Sequence, residues 1–207
     1  MSLKFYLLAV TLIVFIASAG SVPVGADGTV VTWTGSHDSR WSDPRNWDLG
    51  HVPGPTEVAR LTKSSRPLDE IDEKATGVVG AMMVDSEFRG TILLQRDFTI
   101  GSNLSLQSGL LRQGDHDLSV NSYQQDGGRF EGGQSNLLIQ QRAIVSGGTF
   151  LTSKLTVVSS LTIEAPAVVT AAANSKLNLT GDGTPLKGNG VLDVTTHGPT
   201  SIEYTGR

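Results

Sequence analysis

From Gly90 onward the chain alternates short apolar runs with glycine-rich or polar turns. Leu155-x-Val157, Leu161-x-Ile163 and Leu177-x-Leu179 place every second side chain on one face, the period of a β-strand. No stretch in this region carries a helical stripe. The strands repeat. A polar-Leu-x-apolar anchor occurs at Leu104, Leu118, Leu137, Leu155, Leu177 and Leu192. From Leu118 the steps are 19, 18, 22 and 15. A second anchor, glycine followed two residues later by a large apolar residue, occurs at Gly109, Gly128 and Gly148, with steps of 19 and 20. Two anchors sharing one period mark a solenoid. A coil of this length holds two or three short strands and no helix, which predicts a parallel β-helix. Each coil stacks on the next at ~4.8 Å, with Leu, Val, Ile and Phe inward. The expected fold is all-β: a right-handed single-stranded parallel β-helix (β-solenoid) over 88–207, of about six coils and on the order of 30 Å long.

The N-terminus follows another pattern. Lys4 precedes an apolar run, Phe5–Ala17, broken only by Thr11. A membrane-spanning helix needs ~20 apolar residues, so this run fits a secretory h-region. Small-x-small sites at Ala17-Ser18-Ala19 and Val24-Gly25-Ala26 offer cleavage after Ala19 or Ala26. A signal peptide over 1–26 implies a secreted or cell-surface protein with no transmembrane span in the mature chain.

All three tryptophans, Trp33, Trp41 and Trp47, fall within a turn-rich segment punctuated by Asp43-Pro44 and Pro53-Gly54. Two readings stand. The indoles close the end of the β core as a cap over 27–62, with Trp33 and Trp47 buried. Alternatively, if exposed, Trp33, Trp41 and Trp47 stack on sugar rings and bind carbohydrate. Residues 63–87 read as a polar connector and first strand. Lys63–Lys74 holds seven charges in twelve residues, as a surface loop or a short helical turn starting at Pro67.

The string Trp33-Thr34-Gly35, Trp41-Ser42-Asp43-Pro44, Asn46-Trp47, Val52-Pro53 resembles a motif opening many secreted, mostly bacterial, β-helix repeat proteins. It is similar to the starts of autotransporter passengers and adhesins. The resemblance spans Val31–Leu61 and continues loosely through Phe88–Ile92. It implies a β-helical architecture at a cell surface and says little about activity. This chain departs from the pattern at Glu57, where such proteins place aspartates.

Composition narrows the function. Lys+Arg is 16 against Asp+Glu 20, which argues against a nucleic-acid binder, since that needs a basic face to neutralise phosphates. There is no cysteine, hence no disulfide, thiolate site or thiol nucleophile. The histidines, His37, His51, His116 and His197, show no metal-ligand spacing. Asp38, Asp43 and Asp48 are close in sequence but lack a patterned calcium loop. No cofactor, metal or catalytic residue is expected. Acids along the repeats, from Asp97, Asp115 and Asp117 to Glu203, fall in turns or singly, without the carboxylate pair a polysaccharide-cleaving β-helix needs. Threonines 149, 152, 156 and 162 lack the ranks of an ice-binding face. The expectation is a non-catalytic structural or adhesive segment. Its alternative is a pectin-lyase-like module that binds or cleaves polysaccharide. The strand Ser201–Tyr204 has no cap after it. It therefore calls for downstream domains of a longer chain or self-association through an open coil, with surface glycans as a further partner.

Overall fold

The structure, a computed structural model, describes residues 28–194 and 200–205. The secretory segment expected over 1–26, and His197, lie outside them. The described chain is a β-solenoid of about seven turns. Parallel strands build an eleven-stranded and a seven-stranded sheet.

Each regular coil presents three faces because its longest strand bends. In Leu118–Gln125 the buried positions are 118, 120, 123 and 125, and in Leu155–Ile163 they are 156, 158, 161 and 163. A step of three breaks the two-residue period, so the chain must turn a corner to keep its apolar side chains inside. The ladder shifts register at that point in each pairing of these strands with Asn136–Val145. After a turn the short strand closes the coil: Leu110–Arg112, Arg129–Glu131, Thr149–Leu151 and Val168–Thr170 pair in series, the first three entered through glycine and the last through Ala165-Pro166.

The glycine anchor survives intact. Gly109, Gly128 and Gly148 all have positive φ, and Leu111, Phe130 and Phe150 stack two positions on. A Cβ on Gly128 would sit 2.7 Å from the Ser108 carbonyl carbon, so coil-to-coil contact excludes a side chain there.

The leucine anchor needs correction. The inward column is Phe98, Leu118, Leu137, Thr156, Leu177 and Ile202. Thr156 takes the place expected for Leu155, which pairs instead with Asn136 and Lys176, outside the column. A one-residue slip exchanges the two faces of a strand. Threonine is accepted inside because its Oγ1 receives the Ser153 amide at 3.0 Å. Leu104 and Leu192 belong to other faces, opposite Tyr123 and Val169.

The solenoid also begins well before residue 88. Val30–Thr32 is the outermost rung of the large sheet and pairs with Val58–Leu61, which pairs with Ala81–Val84. Within the supposed connector, Glu70–Ile71 joins the seven-stranded sheet and Val78–Val79 the larger one. Leu68, Ile71 and Ala75 are buried among the charges, and Asp72 is buried with them, accepting the Ser42 and Lys74 amides. No helical turn forms at Pro67. The helical element among the described residues is the 3-10 turn Pro44–Asn46.

Interior packing is aromatic at two levels. Phe130 stacks on Phe150 at 4.7 Å, and Tyr123 meets both rings edge-on. The Tyr123 hydroxyl donates to Gln125 Oε1, whose Nε2 donates to the Thr149 and Gly128 carbonyls. Burial pushes the Tyr123 phenol well above its ordinary value, so it stays a neutral donor. Lower down, Trp33, Trp47, Trp41 and Phe98 form a chain of edge-to-face contacts at 5.2, 4.8 and 5.5 Å.

Candidate functional site

The tryptophans pack inward, as a cap requires. Trp33, Trp41 and Trp47 are 1%, 0% and 3% exposed. Trp33 Nε1 donates to the Arg66 carbonyl and Trp47 Nε1 to the Trp41 carbonyl, both at 2.9 Å. No indole face is open to a sugar, so the stacking platform considered for these three residues is not formed.

What the tryptophans hold in place is the loop between them. Asp43 caps the turn Pro44–Asn46 by accepting the Arg45 amide. Asn46, fully buried, ties the loop together. Its Oδ1 accepts the His37 and Asp38 amides, and its Nδ2 donates to Asp38 Oδ1 and the Arg40 carbonyl. The result brings together His37, Asp38 and Asp43. His37 Nδ1 lies 3.0 Å from Asp43 Oδ2 and 3.6 Å from Asp38 Oδ2. The expectation that no histidine joins a metal-type cluster is thereby corrected. Sequence spacing concealed it because the loop folds back six residues to bring Asp43 to His37. Asp48, the third aspartate considered, turns away and accepts the Thr32 amide.

The charges of this loop are set locally. The Arg45 guanidinium, paired through both carboxylate oxygens, holds Asp43 far below the usual carboxylate range. Desolvation works to raise Asp38, but the Arg40 amide and the Asn46 side chain outweigh it and leave Asp38 below its ordinary value. Both are anionic at neutral pH. In the next turn Glu57 accepts the Gly54 amide and faces His51 at 2.9 Å. It closes its own loop and does not join the His37 cluster.

A second feature lies on the outer face of the larger sheet. A groove of about 540 Å³ crosses successive coils, lined by Arg96, Asp97, Thr99, Asp117, Ser119 and Leu138 among others. Thr99, Ser119 and Leu138 are register partners pointing outward. Asp97 and Asp117 are stacked at one corner in consecutive coils, closer than a reading of single, scattered acids allowed. Asp97 Oδ1 accepts the Asp117 amide and Asp117 Oδ1 accepts the Asn136 amide, both at 2.8 Å. Each carboxylate therefore bonds the backbone of the coil above it. Elsewhere Glu131 pairs with Arg112 and Arg129, and Asp85 with Arg60.

Among the described residues no helix is long and apolar enough to cross a membrane. Comparison with protein-family models, curated proteins and solved structures finds no match to this chain.

Proposed function

We propose that this chain is a secreted or cell-surface β-solenoid segment with a structural and adhesive role, acting by displaying its outer faces and not by catalysis. The observation that carries the reading is the use of Asp97 and Asp117. The acids of this groove bond the amides of the coil stack, which fits scaffolding better than proton transfer. The apolar run Phe5–Ala17 and the similarity of Val31–Leu61 to autotransporter-type openings support export. The rung Ser201–Tyr204 supports a strand-donating partner. Ile202 and Tyr204 occupy inward positions there yet are nearly half exposed. A second copy pairing along that rung would cover them.

The groove favours a second reading, glycan binding. It offers hydroxyl, amide and carboxylate groups beside the exposed Leu138, a mix that suits neutral sugars. Incubating the protein with pectate, alginate and neutral polysaccharides, while following both depolymerisation and retention, separates the cases. Retention without chain cleavage agrees with the proposal. Cleavage abolished by Asp117→Asn defeats it.

A further inference from the structure

We propose that His37, Asp38 and Asp43 form a binding site for a divalent transition metal, zinc foremost, on the outer surface of the N-terminal loop. The donor set is one imidazole nitrogen and two carboxylate oxygens, all within 4.8 Å of one another. Tetrahedral zinc with bonds of about 2.0–2.1 Å sets neighbouring donors about 3.3 Å apart. The distances from His37 Nδ1, 3.0 and 3.6 Å, bracket that spacing. Closing the site needs only side-chain adjustment.

The surroundings are built as a metal's outer shell is built. A ligating carboxylate is oriented when its far oxygen is hydrogen-bonded elsewhere. Asp38 Oδ1 is held by Asn46 Nδ2 and the Arg40 amide, which leaves Oδ2 toward His37. Asn46, with no exposed surface, also fixes the backbone of both His37 and Asp38. Asp43 Oδ1 is held by the Arg45 amide and Nε. Arg45 Nη2 also reaches Asp43 Oδ2 at 2.7 Å. A cation therefore enters from the His37 side, on that oxygen's second lone pair. His37 is 44% exposed, so the remaining coordination positions open to water.

The chemistry selects the ion. Calcium takes six to eight oxygens, whereas a nitrogen with two carboxylates suits zinc or a neighbouring transition metal. Arg40, Arg45 and Lys74 border the adjoining hollow and offset the two negative charges. Affinity thus rests on coordination, not on bulk attraction.

The test is calorimetric titration of the full chain with zinc chloride, run beside His37→Gln and His51→Gln. His51 is a comparably exposed histidine facing a carboxylate in the next turn, outside the cluster. The expected result is saturable binding at one ion per chain, weakened about tenfold or more in His37→Gln and unchanged in His51→Gln. Far-UV circular dichroism of His37→Gln should match the unaltered protein, since the ring packs in no core. Absence of saturable binding, or equal binding by His37→Gln and the unaltered chain, overturns the proposal. So does a parallel loss in both variants.

Discussion

Phe130→Ala probes the coil interior where it is best packed. The ring has no exposed surface, stacks on Phe150 at 4.7 Å with planes 19° apart, and meets Tyr123 edge-on at 6.0 Å. Truncating a buried phenylalanine costs ~3–5 kcal/mol, and part of this is the cavity left behind. The cavity term should be near its maximum here. The neighbours above and below, Leu111 and Phe150, are fixed by the parallel ladder and cannot close over the gap. Native domains are stable by roughly 5–15 kcal/mol, so the loss is a large fraction of the whole. With a urea slope of about 1–3 kcal/mol/M, the unfolding midpoint should fall by on the order of 2 M. The internal control is Thr149→Ala. Thr149 is adjacent in sequence to Phe150 but points outward, and its truncation should change stability by less than ~0.5 kcal/mol. Urea titration followed by tryptophan fluorescence and by circular dichroism reads both. Phe130→Ala costing under ~1 kcal/mol, or Thr149→Ala costing as much as Phe130→Ala, would refute the inward assignment of this column.

Two further outcomes follow from particular residues. Gly128→Ala should destabilise more than Gly50→Ala when both are measured by thermal unfolding. Both glycines have positive φ, which costs an alanine roughly 1–2 kcal/mol, but only Gly128 adds a backbone clash with Ser108 and Gly109. At the His51–Glu57 pair, Glu57 raises His51 above its ordinary value, while the Gly54 amide, and His51 in turn, lower Glu57. The His51 contribution to stability is full below 6.5 and disappears as pH rises through its folded value. The Glu57 contribution is full above 4.5 and is lost as pH falls through its own. Denaturation of His51→Ala against the unaltered protein should therefore differ at about pH 5.5 and coincide at about pH 9. A difference that grows with pH contradicts the pairing.

The architecture was legible because a solenoid writes its period into the chain. The glycine anchor was the more faithful signal, since turns with positive φ tolerate little but glycine at each coil. The leucine anchor misled where Thr156 replaced leucine inside and a leucine happened to stand beside it. Inward threonine is invisible to a hydrophobic pattern, because only its hydrogen bond to Ser153 makes it acceptable. The early coils were hidden for a related reason. Leu68, Ile71 and Ala75 are spaced three and four apart among seven charges, which reads as a loop although each of these apolar side chains is buried. The tryptophan cap was readable from the clustering of its rings. The His37 cluster was not, because it depends on Asn46 drawing two ends of a loop together, and no spacing rule announces that.

The central claim is parallel stacking in the stated register, and the natural absence of cysteine makes it directly testable. In parallel register Arg129 lies beside Thr149, with Cα atoms ~4.8 Å apart, while Arg129 and Leu151 are ~8 Å apart. A disulfide requires Cα atoms closer than ~7 Å. Under mild oxidation the variant carrying Arg129→Cys and Thr149→Cys should close an intramolecular disulfide, and the variant carrying Arg129→Cys and Leu151→Cys should remain reduced. An antiparallel arrangement pairs 129 with 151 instead, so closure of the second variant and not the first would contradict the solenoid.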